Sequence, residues 1–334
     1  MRWLLWGVVF RWIFRPVIFL FPPETAMHGG EKFLKFRPAW YLLSPTRYEI
    51  NLPAKMGDLN LRNPVGLAAG LDKKCEYLAS LADLGFGYVL GGTVTYNPRP
   101  GNPKPRVIRN KKDKSLINAL GFPGDGLTNA ITRLSNLTHR PGKVFVSIAA
   151  LDDDDALKCL EGLEPFVDAI ELNISSPNTL GIRKYHDSNA LSKLLSTLNQ
   201  KRKKPIYIKL PPFTNEQEAE LILSLAQVCK KSGVSGLTVA NTLPVEDDRL
   251  AVGRGGLSGR VIFDNLLKMI PTVRSEVGNG LVLNACGGIS SGADAYAALR
   301  AGADTVQLYT ALVFEGPKVV VDICRDLQIL KLNA

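Results

Sequence analysis

From about residue 60 onward, short apolar runs alternate with amphipathic stretches. The apolar runs predict strands at 65–69, 88–95, 143–149, 168–175, 205–210, 236–241, 280–286 and 305–310. Between and after them, apolar positions three and four apart predict helices near 74–84, 126–138, 154–163, 188–203, 215–230, 260–277, 291–301 and 316–330. Eight strand–helix repeats predict an α/β fold, a closed parallel (β/α)₈ barrel of TIM type. A doubly wound open sheet is the alternative, but GxGxxG does not follow the first strand. Residues 96–125, rich in Pro, Gly, Asn and Lys, read as an insertion after the second strand, where barrel loops carry function.

The amino terminus follows a different pattern. No acidic residue precedes Glu24, and Arg2, Arg11 and Arg15 carry the only charges before it. The longest unbroken apolar or glycine run, 3–10, is too short to span a bilayer. On a helix Gly7, Arg11 and Arg15 share one stripe, Trp, Leu, Ile and Phe fill the rest, and Pro16 should kink or break it. The expectation is a segment lying in the membrane interface, its arginines toward anionic head groups. Arginines interrupt the apolar core that a secretory signal needs, and no small-residue cleavage site follows. A mitochondrial targeting segment is the other alternative. Pro22-Pro23-Glu24-Thr25 then opens a second helix, about 24–36, with Phe33, Leu34 and Phe36 on its apolar side. The chain divides into a helical segment, 1–45, and the barrel, 46–334.

Composition narrows the chemistry. Of 334 residues, 46% are hydrophobic and 22% charged, enough for a large core and against bulk disorder. The net charge of +10 favours anionic partners such as phosphate cofactors, acidic substrates, lipid head groups or nucleic acid. Five scattered cysteines without CxxC argue for a reducing compartment, and three histidines without ligand spacing predict no catalytic metal.

Polar residues cluster where the apolar runs end. Asn118, Asn173, Asn178 and Asn241, with Lys73 and Lys209, would meet at one barrel mouth. Alone, each asparagine is a turn or cap residue and each lysine a surface residue. Together, four carboxamides and two ammoniums suit a planar ligand with amide edges, plus an anion. Cys286-Gly287-Gly288-Ile289-Ser290-Ser291-Gly292 leads into a helix start, which suits a phosphate.

The run from Asn63 to Lys73, then Gly101 to Arg106, Asn173 to Thr179, Gly255 to Gly259 and Val306 to Thr310 resemble the dihydroorotate dehydrogenases. Nearly the whole chain takes part. The membrane-linked, quinone-using class is most similar, because Ser176 stands where the soluble class has Cys and because the helical extension is present. The resemblance implies oxidation of dihydroorotate to orotate in pyrimidine biosynthesis, with FMN as hydride acceptor and a membrane quinone as final acceptor. It assigns Ser176 as general base. Lys73, Asn118, Phe122, Asn173, Asn178, Asn241 and Thr242 would hold the substrate. Ala69, Gly70, Lys73, Thr93, Asn118, Ser147, Asn173, Lys209, Ala240, Ser258, Gly259, Gly287, Gly288, Tyr309 and Thr310 would line the flavin and its phosphate. Lys209 would stabilise reduced flavin. Arg109, His28 and Tyr309 would border a quinone tunnel.

Some positions depart from the family pattern. Ser147 to Leu151 followed by four aspartates, 152–155, replaces a Gly-Lys-Asn-Lys run and an Asn before it. The aspartates read as a helix start. Pro123 and Ala240 replace an Asn and a Thr, and His28 is displaced by one place. The expected location is the cytoplasmic face of the cell's inner membrane, with the mitochondrial inner membrane second, because the extension is short and has no separate leader. No nucleic acid and no obligate protein partner are expected. Two rival readings are a flavin barrel reductase acting on RNA uridines, for which no RNA-binding domain is evident, and a non-catalytic membrane-bound relative.

Overall fold

A computed structural model of the chain describes residues 7–36, 52–140, 142–176 and 180–332. Eight parallel strands close into a barrel: β1 Val65–Asp72, β2 Tyr88–Val94, β3 Lys143–Ala149, β4 Ala169–Asn173, β5 Ile206–Lys209, β6 Gly236–Val239, β7 Val282–Cys286 and β8 Thr305–Leu308. They pair in sequence order, and β8 closes on β1 through Val306↔Val65 and Leu308↔Leu67. The principal outer helices are α1 Leu78–Asp83, α2 Leu127–Ser135, α3 Asp153–Leu163, α4 Ser188–Asn199, α5 Glu216–Lys231, α6 Phe263–Val277, α7 Gly292–Arg300 and α8 Val319–Leu332.

Strand parity explains why the apolar runs are nearly continuous. Val89, Val144, Val146, Ile170 and Leu172 point outward into the cluster shared with the helices. Their alternates Tyr88, Phe145, Ala169 and Tyr207 fill the lower lumen. Both faces are buried, so alternation is lost. The rings of Tyr88, Phe145 and Tyr207 stack, with centroids 5.0 and 5.8 Å apart. Gly66 makes room for them, since a Cβ there would stand 2.2 Å from the Tyr88 ring. An antiparallel hairpin, Ala54–Met56 with Leu59–Leu61, closes this end by burying Met56 and Leu61 against the rings.

Asp152, Asp187, Asn215 and Ser291 cap α3, α4, α5 and α7, each accepting from the backbone N–H three residues on. The aspartate run is therefore a helix start, as its sequence suggests. It is also a pair of tethers. Asp155 accepts from the Tyr96 N–H at 3.0 Å, and Asp153 accepts from the Tyr185 hydroxyl at 2.7 Å.

The insertion is more ordered than its composition suggests. It holds strands Val107–Asn110 and Ser115–Asn118, which join Leu243–Glu246 and Arg254–Gly259 in a four-stranded antiparallel sheet. At the amino terminus, Pro16 widens the helix rather than breaking it. Residues Phe10–Phe14 form a π turn, in which the Arg15 N–H reaches the Phe10 carbonyl, and Arg15–Ile18 continues as α-helix. A wider turn relieves the clash of the proline ring with the preceding turn. Helix Pro23–Lys35 follows, tied to the insertion by the Arg106–Glu24 ion pair at 2.8 Å. The expected boundary near residue 45 lies outside the described residues.

The arginine stripe corrects the sequence reading. Arg11 pairs with Glu315 at 3.0 Å, and Arg15 donates to the Phe314 carbonyl at 2.9 Å. A Cβ on Gly7 would meet the Lys318 side chain. The stripe therefore faces the short helix Thr310–Glu315 and its flank, not head groups. Trp12, Ile13, Val17, Leu20 and Phe21 are left exposed on the other side. The side toward the barrel is mixed, since Phe10, Ile18 and Phe19 share it with the arginines and Phe19 meets the Phe314 ring edge-on.

Candidate active site

The carboxyl ends of the strands, the four-stranded sheet and the amino-terminal helices enclose a cavity of about 800 Å³. Its deep wall is polar. Asn173, at the end of β4, accepts at Oδ1 from the Ser175 N–H (3.0 Å) and hydroxyl (2.8 Å). Its Nδ2 reaches the Thr93 hydroxyl at 3.4 Å. Asn241, past the end of β6, donates to the Ser175 Oγ at 2.9 Å and accepts from the Thr242 N–H at 2.8 Å. Ser175 thus links the two carboxamides, its proton given to one and its lone pair to the other. Ser176, the next residue, is buried and borders the cavity.

Two ammoniums flank these groups. Lys209, on β5, is 6% exposed. Burial works against its charge, while the acidic groups facing it, Cys286 when ionised and Glu171, move its pKa up. Lys73, just past β1, lies 3.6 Å from the Met27 sulfur of helix Pro23–Lys35. Burial pushes its pKa down, opposed by Glu31 and Asp72. The Asp72 carboxyl is itself pushed up to about 6 by burial, against backbone donors from Glu76 and Tyr77 that fix the turn presenting Lys73.

On the opposite side, Thr310 donates to the Ser258 Oγ at 2.8 Å. Gly259, Gly287 and Gly288 leave a backbone cradle there, and a Cβ on Gly288 would stand 2.7 Å from the Phe263 nitrogen and 2.9 Å from the Gly259 carbonyl. Gln307, on β8, borders the cavity and has a buried Oε1 without a hydrogen-bond partner among the described residues. Such an atom is costly unless a ligand satisfies it.

Most of the residues singled out in the sequence border this one cavity: Lys73, Asn118, Phe122, Asn173, Ser176, Asn241, Thr242, Ala69, Gly70, Thr93, Lys209, Ala240, Ser258, Gly259, Gly287, Gly288, Arg109, Tyr309 and Thr310. Three do not. Ser147 is fully buried one layer back and bonds Thr93 at 3.1 Å, so it supports the wall without forming it. His28 is turned outward, half exposed, and paired with Glu31, because the helix aims Met27 inward instead. Asn178 lies outside the described residues.

Arg109 borders the cavity as a tether. It donates to the Phe19 and Phe21 carbonyls at 3.0 and 2.9 Å and lies 4.0 Å over the Phe19 ring. Sequence reasoning missed Ser175 and Gln307. The doublet Ser175-Ser176 could have raised the first, whereas nothing in the sequence marks Gln307 as facing inward.

These positions belong to a recognisable set. The dihydroorotate dehydrogenase family model matches residues 51–330. The chain belongs to the dihydroorotate dehydrogenase family. Relatives named dihydroorotate dehydrogenase (quinone) include one from Chelativorans sp. (strain BNC1), 37% identical over 91% of this chain and 87% of that one. Another, from Bordetella avium (strain 197N), is 36% identical over 92% of this chain and 93% of its own. The crystal structure of Eimeria tenella DHODH in complex with ferulenol superposes with a TM-score of 0.84 at 28% identity, covering 93% of this chain and 92% of that one. The matched range contains all eight barrel strands and the strand-end residues that border the cavity, whereas the outer wall formed by the amino-terminal helices lies before it.

Proposed function

We propose that this chain oxidises dihydroorotate to orotate with FMN and passes the electrons to a membrane quinone. The observation that carries this reading is the convergence of Ser176, Asn173, Asn241 and Lys209 on one deep wall, opposite a glycine cradle. The residues fit FMN. Gly259, Gly287 and Gly288 supply close backbone approach for a phosphate, Gln307 Oε1 offers an unused acceptor, and Lys209 brings a buried cation. FMN, when bound, supplies the hydride-accepting ring.

The chain's own residues do the rest. Asn173 and Asn241, held by Ser175, and Asn118, held by the Gly256 carbonyl at 3.4 Å, present amide edges to a pyrimidine ring. Ser176 takes the proton from the carbon next to the one that loses hydride. A serine hydroxyl is a weak base and needs a dry pocket; it stands among buried groups. Lys209 stabilises negative charge that grows beside it.

Quinone access is a separate entrance. Phe14, Ile18, Phe19, Phe33 and Leu34 line the outer part of the cavity, under the exposed apolar face of the same helices. No described helix is long and apolar enough to cross a membrane. On this reading the exposed apolar face of the amino-terminal helices rests on the cytoplasmic face of an inner membrane, and an apolar acceptor enters the cavity from that side. The test is product formation. Purified protein given dihydroorotate and a quinone should release orotate and reduced quinone one for one; absence of orotate with FMN present would refute the reading.

A further inference from the structure

Beneath the cavity the lumen holds a directed chain of hydrogen bonds that the reaction described above does not use. The Tyr88 hydroxyl lies 2.9 Å from the Thr305 hydroxyl, which donates to Asn284 Oδ1 at 2.6 Å. With that proton committed, Tyr88 is the donor to Thr305. Asn284 Nδ2 reaches the Thr238 hydroxyl at 3.4 Å, and Thr238 donates to Glu171 Oε2 at 2.8 Å. The chain ends on Glu171, 1% exposed, whose Oε1 is buried without a hydrogen-bond partner among the described residues. A carboxylate so placed is expensive unless a charge faces it.

The strand register shows which charge that is. Thr238 lies on β6 and Glu171 on β4, so their bond crosses the lumen in front of β5. On β5 Glu171 is level with Tyr207, and Thr238 and Asn173 are level with Lys209. The carboxylate therefore sits one layer below the Lys209 ammonium, on the side away from the cavity.

We propose that Glu171 is a positioning residue that works through Lys209: a fixed buried counter-charge that keeps the ammonium cationic beneath the bound flavin. The inference rests on the flavin reading given above. The other titratable groups facing this pair are Cys286 on β7 and Tyr88 on β2. Burial pushes both of their pKa values up, so they stay neutral at physiological pH. Glu171 is left as the facing anion. Without it, Lys209 would be a buried ammonium with no partner charge, the situation in which lysine gives up its proton.

The experiment is the midpoint potential of the bound FMN, followed by absorbance from about pH 6 to about pH 9, a range across which an unpaired buried lysine titrates. Glu171→Gln keeps the shape and removes the charge. In the parent protein Lys209 stays charged throughout. In the variant it loses its charge as pH rises, and its support for reduced flavin goes with it. The equilibrium constant for flavin reduction should then fall below the parent's by about tenfold per pH unit above the new titration point. Glu171→Asp, which restores the charge, should return the parent slope. In a Lys209→Met background Glu171→Gln should add no pH dependence.

Lines for parent and Glu171→Gln that stay parallel across the range would overturn the proposal, leaving Glu171 a core residue only. If Glu171→Gln does not fold, Glu171→Met removes the same charge without leaving a buried amide to satisfy. It should show the same divergence, and parallel lines would again overturn the proposal. A parent protein that binds no FMN refutes the functional reading itself, and this is seen before any variant is made.

Discussion

Ser176→Ala slows flavin reduction by dihydroorotate by at least ~10²–10⁴-fold, the usual contribution of a general base. Binding of orotate and of FMN should stay near normal. The reason for the split is geometric. The ligand-holding carboxamides are fixed by Ser175, not by Ser176: Asn173 and Asn241 both bond to the Ser175 side chain. Removing the Ser176 hydroxyl leaves that bracket intact. Ser175 cannot take over, since its proton already goes to Asn173 and its oxygen already accepts from Asn241. Cys286 is no substitute, because burial holds its thiol neutral. Stopped-flow absorbance of the flavin in a single turnover is the measurement. Near-normal reduction in the variant would show that another group removes the proton.

The double variant Trp12→Glu, Leu20→Glu should free the protein from lipid vesicles. These side chains are 78% and 80% exposed, border no part of the cavity, and make none of the contacts that hold the helices to the barrel. Those contacts include the Arg11–Glu315 and Arg106–Glu24 pairs, Arg15 on the Phe314 carbonyl, and Arg109 on the carbonyls of Phe19 and Phe21. The helices should therefore stay in place while their outer face changes. Moving one large apolar side chain from water to an apolar phase is worth about 1.5–3 kcal/mol, so losing two should weaken partitioning by roughly 10²-fold or more. Flavin reduction by dihydroorotate should be unaffected. Turnover with a long-chain quinone should fall much further than turnover with a small soluble acceptor. Equal losses with both acceptors, or a variant still firmly on vesicles, would remove the lipid-side entrance from the account.

The barrel was legible because its signal is repetitive. Eight apolar runs, each followed by an amphipathic stretch, leave few alternatives, and polar residues at their ends point to one mouth. What was not legible depended on distance in space or on very short elements. The four-stranded sheet is built from strands of four to six residues in segments rich in Gly, Pro and Lys, too short for alternation to show. The arginine stripe looked like a membrane contact because Glu315, its partner, is some three hundred positions away. His28 and Ser147 were expected at the site from position alone. A helix places adjacent residues about 100° apart, so the displaced histidine faces outward while Met27 faces in. A strand end places Ser147 behind Thr93. Glu171 was invisible as a polar feature because it lies inside an otherwise apolar run, where only the lumen's geometry gives it a partner.

The central claim, one chain holding FMN opposite a dihydroorotate site, is tested most directly by the visible spectrum of the purified protein. It should show bound flavin, either as isolated or after FMN is added. Anaerobic addition of dihydroorotate should bleach that flavin within a single turnover, and a quinone should restore the colour. Protein that stays colourless after FMN is supplied, or a flavin that dihydroorotate leaves oxidised, would contradict it.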